Sequence, residues 1–266
     1  MKTVKNTAVK WNTVLGITLP AEMIYRGNLI LVNEQHSFQA LSQENQLAAP
    51  FPEQPEHLMM WEAAQAIQGL LRSLQAGRRI VGVSGYRTMK EQIAIWNDSE
   101  AENGLDFTRR FVAVPGHSEH QTGLAMDVAL NQKKIDFICP EFPYEGICQE
   151  FRKLASDYGF IERYPAGKES VTGIGAEPWH FRYVGIPHAR IMKEQGMVME
   201  EYVEWLRGYD WNSCPLRYWD EGKEFRIGWI PCGLDDKEVS VILPEHCRYA
   251  VSGNNVDGLI MTACVL

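Results

Sequence analysis

The sequence contains both short apolar runs typical of strands and amphipathic patterns typical of helices. The two kinds of pattern do not alternate in a regular strand–helix–strand repeat. Apolar residues recur at helical spacing over 58–75 and 148–158, whereas short apolar runs typical of strands occur at 80–84, 125–130 and 179–184. A regular repeat would favour a parallel α/β sheet. The pattern therefore predicts an α+β fold with an antiparallel sheet and flanking helices.

Two further segments are assigned from their local composition. Leu29–Val32 is a continuous apolar run between turn-forming residues, which predicts a short buried strand. Residues 97–117 are polar and interrupted by Gly and Pro, so we expect a loop there.

Differences in local sequence pattern divide the chain into three parts. Residues 1–25 are predicted to form an irregular N-terminal arm, and residues 26–208 hold the main helix and strand patterns. Residues 209–266 contain four short strand patterns and a Gly-Asn-Asn turn signal. We therefore expect a β-rich C-terminal appendage. A homodimer contact, a cap over a cleft and a cell-wall contact are the roles left open for it.

Charge and the N-terminal composition limit the partners and the compartment. The 26 Lys and Arg against 34 Asp and Glu give a net charge of −8, which argues against nucleic acid or an anionic membrane as the main partner. A local cationic pocket for an anionic small substrate is compatible with that charge. The first 25 residues contain no unbroken apolar segment, which predicts no signal peptide, no transmembrane helix and a cytoplasmic protein with reduced cysteines.

The segment 118–127 carries the first candidate metal ligands. His120 and Asp127 are seven residues apart, which on one helix would separate them by about 10 Å along the axis, too far for one metal ion. Gly123 breaks that helix, and Ala125–Ala129 has a strand pattern. A loop that turns at Gly123 can bring His120 back over Asp127.

The segment 177–182 offers a third ligand, His180, with Glu177 three residues before it. Three protein ligands leave the fourth zinc position for water, and a carboxylate beside that water is what metal-assisted hydrolysis requires. Spacing alone leaves other interpretations open, because a His-x6-Asp pair can be two unrelated surface residues. A Ser-Gly-Tyr-Arg sequence can likewise be a turn whose Arg87 binds a surface carboxylate.

Three segments taken together resemble a known family. Ser84–Thr88, Gly116–Asp127 and Glu177–Gly185, in that order, are similar to the motifs of the D-alanyl-D-alanine metallopeptidases of the VanY, VanX and VanXY type. That family shares its fold with the hedgehog signalling domain and the lysostaphin-type peptidases. The resemblance covers roughly residues 25–200 and leaves the C-terminal appendage unmatched. It implies that residues 26–208 form a zinc D,D-peptidase domain.

The resemblance also implies roles for individual residues. It implies one Zn²⁺ per chain, held by His120, Asp127 and His180, with Glu177 as the general base and Arg87 as the group that stabilises the oxyanion. The substrate-binding residues that it implies or favours around the cleft are Gln92, Ser118, Tyr86 and Trp179. His117 departs from the family pattern, which often has tyrosine there, and we expect it to pack or to border the substrate.

The function implied by the resemblance is hydrolysis of the D-Ala-D-Ala bond of peptidoglycan-precursor peptides. The absence of an export signal favours a VanXY-like enzyme that acts as both dipeptidase and carboxypeptidase, with a role in glycopeptide (vancomycin) resistance. An L,D-carboxypeptidase or another peptidoglycan endopeptidase on the same zinc scaffold remains an alternative. A non-catalytic binding protein is the other alternative, and the presence of Glu177 and Arg87 argues against it.

Overall fold

The structure is a computed structural model and describes residues 14–39, 46–233, 235–244 and 247–265. The first half of the chain holds the strands Val14–Pro20 (β1), Leu47–Ala48 (β2), Met59–Met60 (β3), Ile80–Ser84 (β4) and Ala125–Leu130 (β5). The later strands are Phe160–Tyr164 (β6), Glu177–Tyr183 (β7), Leu216–Asp220 (β8), Lys223–Pro231 (β9), Glu238–Pro244 (β10), Cys247–Gly253 (β11) and Gly258–Val265 (β12). The helices are Trp61–Ser73 (α1), Met89–Asn103 (α2), Leu105–Phe111 (α3), Gly146–Ala155 (α4), Glu169–Thr172 (α5), His188–Gln195 (α6) and Met199–Leu206 (α7).

Residues 32–199 form one of two compact units. Its main sheet has the strand order β4-β5-β7-β6, and every neighbouring pair in it is antiparallel. Helices α1 and α4 pack on the sheet, so the predicted α+β class with an antiparallel sheet is confirmed.

The hydrophobic core of this unit lies on one face of the sheet. Ile67 and Leu70 of α1 are fully buried against it, as the helical spacing of apolar residues predicts. Phe142, Phe151 and Phe181 form an aromatic cluster with ring centroids 4.8–5.7 Å apart in edge-to-face contacts. Because side chains alternate along a strand, this burial leaves the opposite face of β5 and β7 for polar residues.

The loop predicted at 97–117 is wrong over most of its length. Helix α2 continues to Asn103, and α3 follows it. Thr88 and Glu91 form a reciprocal capping box that starts α2, and Gly104, with φ of +84°, separates the two helices. Polar residues dominate here because α2 buries few of its side chains, so composition alone suggested a loop.

The second unit joins residues 14–31 to residues 200–265. Strands β11-β12-β9-β8 form a four-stranded sheet, and β1 pairs with β10 in antiparallel register over Val14–Pro20. The prediction of an irregular arm is therefore wrong from residue 14 onward, and residues 1–13 lie outside the described part. The tail predicted with four strands has five among its described residues, since Leu216–Asp220 also forms one.

Leu29–Val32 is buried, but it is not the strand that its apolar run predicted. Its backbone is bound by a side chain near the end of β11 and by the turn that follows, without strand pairing. Ser252 Oγ accepts from Leu29 N at 2.9 Å, and Leu31 N donates to Asn254 O at 3.0 Å. Asn255 Nδ2 donates to Leu31 O at 2.8 Å. These bonds satisfy the buried peptide groups without a ladder.

The expectations of no transmembrane helix and of reduced cysteines can be compared with the described residues. No helix in these ranges has both the length and the apolar character needed to cross a membrane. All six cysteines lie within the described ranges, and none of them forms a disulfide.

Gly253 provides a test of the contact between the N-terminal segment and β11. A Cβ at this position would collide with the backbone of Met23 and Ile24, so we expect Gly253→Ala to lower the free energy of unfolding by about 1–3 kcal/mol. At Gly16 on β1 a Cβ would meet no atom within 4 Å, and Gly16→Ala should change stability by less than about 0.5 kcal/mol. Chemical denaturation of both variants measures the difference, and equal effects would contradict this packing.

Candidate metal centre

The register between β5 and β7 sets Asp127 and His180 side by side. They are directly opposed residues in the antiparallel pair, on the face turned away from the Phe181 core. Asp127 Oδ1 lies 2.9 Å from His180 Nδ1. Both side chains are buried. The two motifs that contain them are 53 residues apart in sequence, and the sheet brings them into contact.

His120 reaches the same carboxylate from a short 3-10 turn, Glu119–Thr122. The turn ends at Gly123, whose φ of +71° is left-handed, and its backbone N–H bonds to His120 O. His120 Nε2 consequently lies 3.1 Å from Asp127 Oδ2, while Gly85 O binds the other ring nitrogen at 2.7 Å. The expectation that a turn at Gly123 returns His120 over Asp127 agrees with this geometry.

These three side chains form a donor set that suits a metal ion. One ligand atom from each of His120, Asp127 and His180 lies within 4.8 Å of the other two, and all three residues are buried. Ligands about 2 Å from one tetrahedral zinc are separated by roughly 3.3 Å, close to the two contacts with Asp127. Burial and the Arg87 guanidinium lower the pKa of His120 to about 4, so its ring is neutral and able to ligate.

The charges around the three side chains favour a cation. Burial alone would lower the pKa of His180, but the carboxylates of Asp127, Glu119 and Glu177 outweigh it and raise the pKa to about 9. Burial likewise acts to raise the pKa of Asp127, and the two imidazoles outweigh it and hold the pKa well below its usual range. A site that draws a proton onto a buried imidazole in this way also suits a divalent cation.

Glu177 stands beside this group as a carboxylate of different character. Its Oε2 lies 3.6 Å from His180 Nδ1. Burial raises the pKa of Glu177 to about 8, and the nearby positive charge of His180 opposes that rise. A carboxyl group whose pKa approaches neutrality can both take up and release a proton, as a general base and acid must.

Arg87 is held by three contacts at the end of β4. Its Nε donates to Ser84 Oγ at 2.7 Å, its Nη1 to Gln92 Oε1 at 3.3 Å and its Nη2 to Asp127 Oδ2 at 3.1 Å. A guanidinium carries five N–H donors, so these three contacts leave one N–H group without a contact on each of Nη1 and Nη2. The Phe137 ring lies over the guanidinium, 5.6 Å from Cζ to the ring centroid.

The five groups open onto one cleft of about 470 Å³, which includes open solvent at its mouth. Its remaining walls are mainly apolar, from Ile95, Phe111, Val112, Phe137, Ile138, Tyr164, Ile174 and Trp179. A small number of convergent polar groups in an apolar cleft is typical of a small-molecule site.

The other residues singled out from the sequence differ in their positions relative to the cleft. Ser118 and Trp179 line the cleft. Gln92 is buried behind it, where it binds Arg87 and the carbonyl of Ala113, so any effect on substrate passes through Arg87. Tyr86 is not among the lining residues. His117 binds the carbonyl of Asn33 at 2.7 Å, which fits the packing role expected for it.

Comparison with known proteins agrees with this arrangement. A family model described as D-alanyl-D-alanine carboxypeptidase, VanY, matches residues 56–186. The bifunctional D-Ala-D-Ala dipeptidase and D-Ala-D-Ala carboxypeptidase VanXYC of Enterococcus gallinarum is 43% identical over 185 residues, which cover 67% of this chain and 94% of the relative. The chain belongs to the VanY family.

Two solved structures are also similar to this chain, and the first of them covers nearly all of it. The vancomycin resistance D,D-dipeptidase VanXYg, in complex with a D-Ala-D-Ala phosphinate analog, has a TM-score of 0.89 and 44% identity, covering 95% of this chain and all of that one. A point mutant of the vancomycin resistance D,D-pentapeptidase VanY from a VanB-type resistance cassette, in complex with Zn(II), has a TM-score of 0.52 and 30% identity over 66% of this chain and 98% of that one.

Sequence reasoning missed a set of buried charges behind the VanY-family motifs. Glu119, Arg163 and Arg182 have side chains that are completely buried, and Glu119 Oε2 lies 3.6 Å from Nε2 of the candidate ligand His180. Two of them stand inside the quoted motifs, directly before His120 and two residues after His180. Arg163 lies on β6, where no motif pointed to it.

Neighbouring histidines allow a test of the ligand set. We expect His120→Ala to weaken binding of a divalent metal ion by more than roughly 100-fold, because loss of a ligand exceeds the 10–100-fold typical of outer partners. His117→Ala is the matched control, since His117 contacts Asn33 and should leave metal binding unchanged. Metal content by plasma mass spectrometry and chelator competition give the measurement. Equal losses in the two variants would contradict the assignment.

Proposed function

We propose that this chain is a zinc-dependent D,D-peptidase that hydrolyses the D-Ala-D-Ala bond, both in the free dipeptide and at the end of peptidoglycan-precursor peptides. The observation that carries the proposal is the convergence of His120, Asp127 and His180 with Glu177 and Arg87 in one cleft. The similarity to VanXYC, whose name describes both activities, supports the dual specificity.

Zinc is the metal that we propose for the His120, Asp127 and His180 donor set. Two imidazoles and one carboxylate are ligands that zinc accepts, and three protein ligands are typical of its catalytic sites. When bound, zinc acts as a Lewis acid that lowers the pKa of water and polarises a carbonyl group. The zinc-containing VanY relative supports this choice.

Glu177 is the residue that we assign to proton transfer. Its carboxylate takes the proton of the attacking water at an Oε atom and then delivers it to the amine of the departing D-alanine. The raised pKa of Glu177, caused by burial, suits both halves of that transfer. Its contact with His180 Nδ1 holds it at the edge of the ligand group.

Arg87 is assigned to the scissile carbonyl. Its contacts with Ser84, Gln92 and Asp127 hold the guanidinium in place before substrate arrives. The one N–H left on each terminal nitrogen makes a two-pronged donor for the oxyanion. A group that is already oriented has no reorganisation cost when charge develops on that oxygen.

The cleft around these groups suits a short peptide with an anionic end. Apolar walls such as Ile138 and Trp179 exclude water from the reacting atoms and accommodate alanine methyl groups. Ser118, which is buried and lines the cleft, is our candidate contact for the terminal carboxylate. Glycopeptide resistance and a cytoplasmic setting remain predictions that accompany this activity.

The substrate class is tested by comparing three peptides with the wild-type protein. We expect hydrolysis of D-Ala-D-Ala and of a pentapeptide ending in D-Ala-D-Ala, and no release of D-alanine from a tetrapeptide with an L,D terminal bond. Glu177→Gln should bind zinc and lose at least about 100-fold in kcat, because general acid–base catalysis typically contributes 10²–10⁴-fold.

The control for the Glu177 variant is Glu162→Gln, an equal charge change in a partly buried ion pair with Arg152. Glu162 does not line the cleft, so its variant should retain activity. Cleavage of the L,D-tetrapeptide alone would favour an L,D-carboxypeptidase. Turnover by Glu177→Gln at the wild-type rate would contradict the mechanism.

Arg87 gives an independent prediction about the oxyanion. Arg87→Ala should reduce kcat by roughly two to three decades, because removal of one oxyanion donor costs about 2.7–4 kcal/mol. Arg87→Lys keeps the charge without the two-pronged donor and should recover only part of the loss. Steady-state kinetics on both D,D substrates separate kcat from KM. An effect confined to KM would show that Arg87 binds the substrate without stabilising the transition state.

A further inference from the structure

Glu119 occupies a buried charge cluster that the proposed reaction does not use. Its Oε1 lies 2.8 Å from Arg163 Nε and 2.9 Å from Arg182 Nη1, and all three side chains are fully buried. Burial acts to raise the pKa of Glu119, but the two guanidinium groups outweigh it and hold the pKa well below its usual range. A buried cluster of this kind is costly to desolvate and is weak evidence for stability alone.

Local backbone structure aims the three charges at one point. Arg163 lies where the β6–β7 register shifts between Glu162 and Tyr164; the additional residues are on β7, and such a bulge increases the local twist of the strand pair. Arg182 is two residues after His180 on β7, and residues at that spacing share a face. Glu119 comes from the 3-10 turn that also carries His120.

The second oxygen of Glu119 faces the candidate ligand His180. Oε2 lies 3.6 Å from His180 Nε2, and both atoms are buried with no hydrogen-bond partner in the described part of the chain. Nδ1 of the same ring points the other way, toward Asp127 Oδ1 at 2.9 Å. Buried polar atoms are almost always paired by hydrogen bonds. Two such atoms that face each other without partners indicate that a hydrogen bond forms between them once the His180 ring is held in place.

We propose that Glu119 is a positioning residue for His180, accepting a hydrogen bond from Nε2–H so that Nδ1 is the nitrogen presented to the metal. Histidine ligands generally donate their second ring N–H to a fixed acceptor, which sets the tautomer and the ring orientation. Arg163 and Arg182 hold the carboxylate that does this. The inference rests on the metal site of the proposed function.

Three variants separate this role from a general contribution to folding. Glu119→Leu removes the hydrogen-bond acceptor but leaves two buried arginines. The double variant Glu119→Leu with Arg163→Met restores the net charge of the cluster, and the unbranched Met fills the space of the arginine stem. Glu162→Gln is the matched control, because Glu162 precedes Arg163 on β6, pairs with Arg152 and does not line the cleft.

The readouts are zinc affinity by chelator competition and the unfolding midpoint of the metal-free protein. We expect the double variant to bind zinc 10–100-fold more weakly, in line with the loss of an outer hydrogen-bond partner. Glu162→Gln should keep its zinc affinity within about threefold even where its unfolding midpoint falls, since the exchange affects the contacts of Glu162 with Arg152 and Tyr144. Zinc binding by the double variant at wild-type affinity would overturn the proposal.

Nitrogen-15 NMR of the histidine rings tests the wild-type protein directly, and it decides the matter if the double variant does not fold. In the zinc-loaded protein we expect His180 to be metal-bound at Nδ1, with a slowly exchanging proton on Nε2. Metal bound at Nε2, or rapid exchange of that proton, would overturn the proposal. A wild-type protein that binds no zinc would contradict the proposed function itself, so the two failures can be told apart.

Discussion

The pairing of β5 with β7 is the constraint on which the rest of the site depends. It sets Asp127 opposite His180, and the pairing of β4 with β5 adds Ser84, the acceptor for Arg87 Nε, to the same row. A slip of one residue would turn Asp127 into the core and Val128 toward the cleft. The apolar residues that alternate with the site residues therefore fix the strand register, and the arrangement of the candidate metal ligands depends on that register.

The carboxyl groups around the candidate metal site differ in pKa because different charges lie beside them. Asp127 lies between the imidazoles of His120 and His180, and Glu119 lies between two arginines; each carboxyl group has a pKa well below the usual range despite burial. Glu177, whose pKa burial raises to about 8, is the carboxyl group able to exchange a proton near neutrality. Environments that push the pKa values of neighbouring acids apart are a recognised basis for separate catalytic roles.

Sequence patterns predicted the α+β class, the antiparallel sheet and the return of His120 over Asp127 at Gly123. Those features follow from local periodicity and from one glycine. The patterns failed for β1 and for Leu29–Val32, because the partners of both segments lie more than 200 residues away in sequence. Local composition also concealed α3, whose residues are largely exposed. Periodicity reports burial, and a helix or strand with little burial leaves a weak pattern.

The charge cluster at Glu119 explains why a set of ligand residues does not by itself define a metal site. In a 3-10 turn consecutive side chains diverge by about 120°, so His120 can face Asp127 while Glu119 reaches the far side of His180. Arg182 shares the strand face of His180 and meets Glu119 there. Each histidine motif thus supplies one imidazole ligand together with a charge that acts on the other motif. Because Asp127 and Glu119 both contact His180, the two segments must fold against each other before that imidazole is oriented.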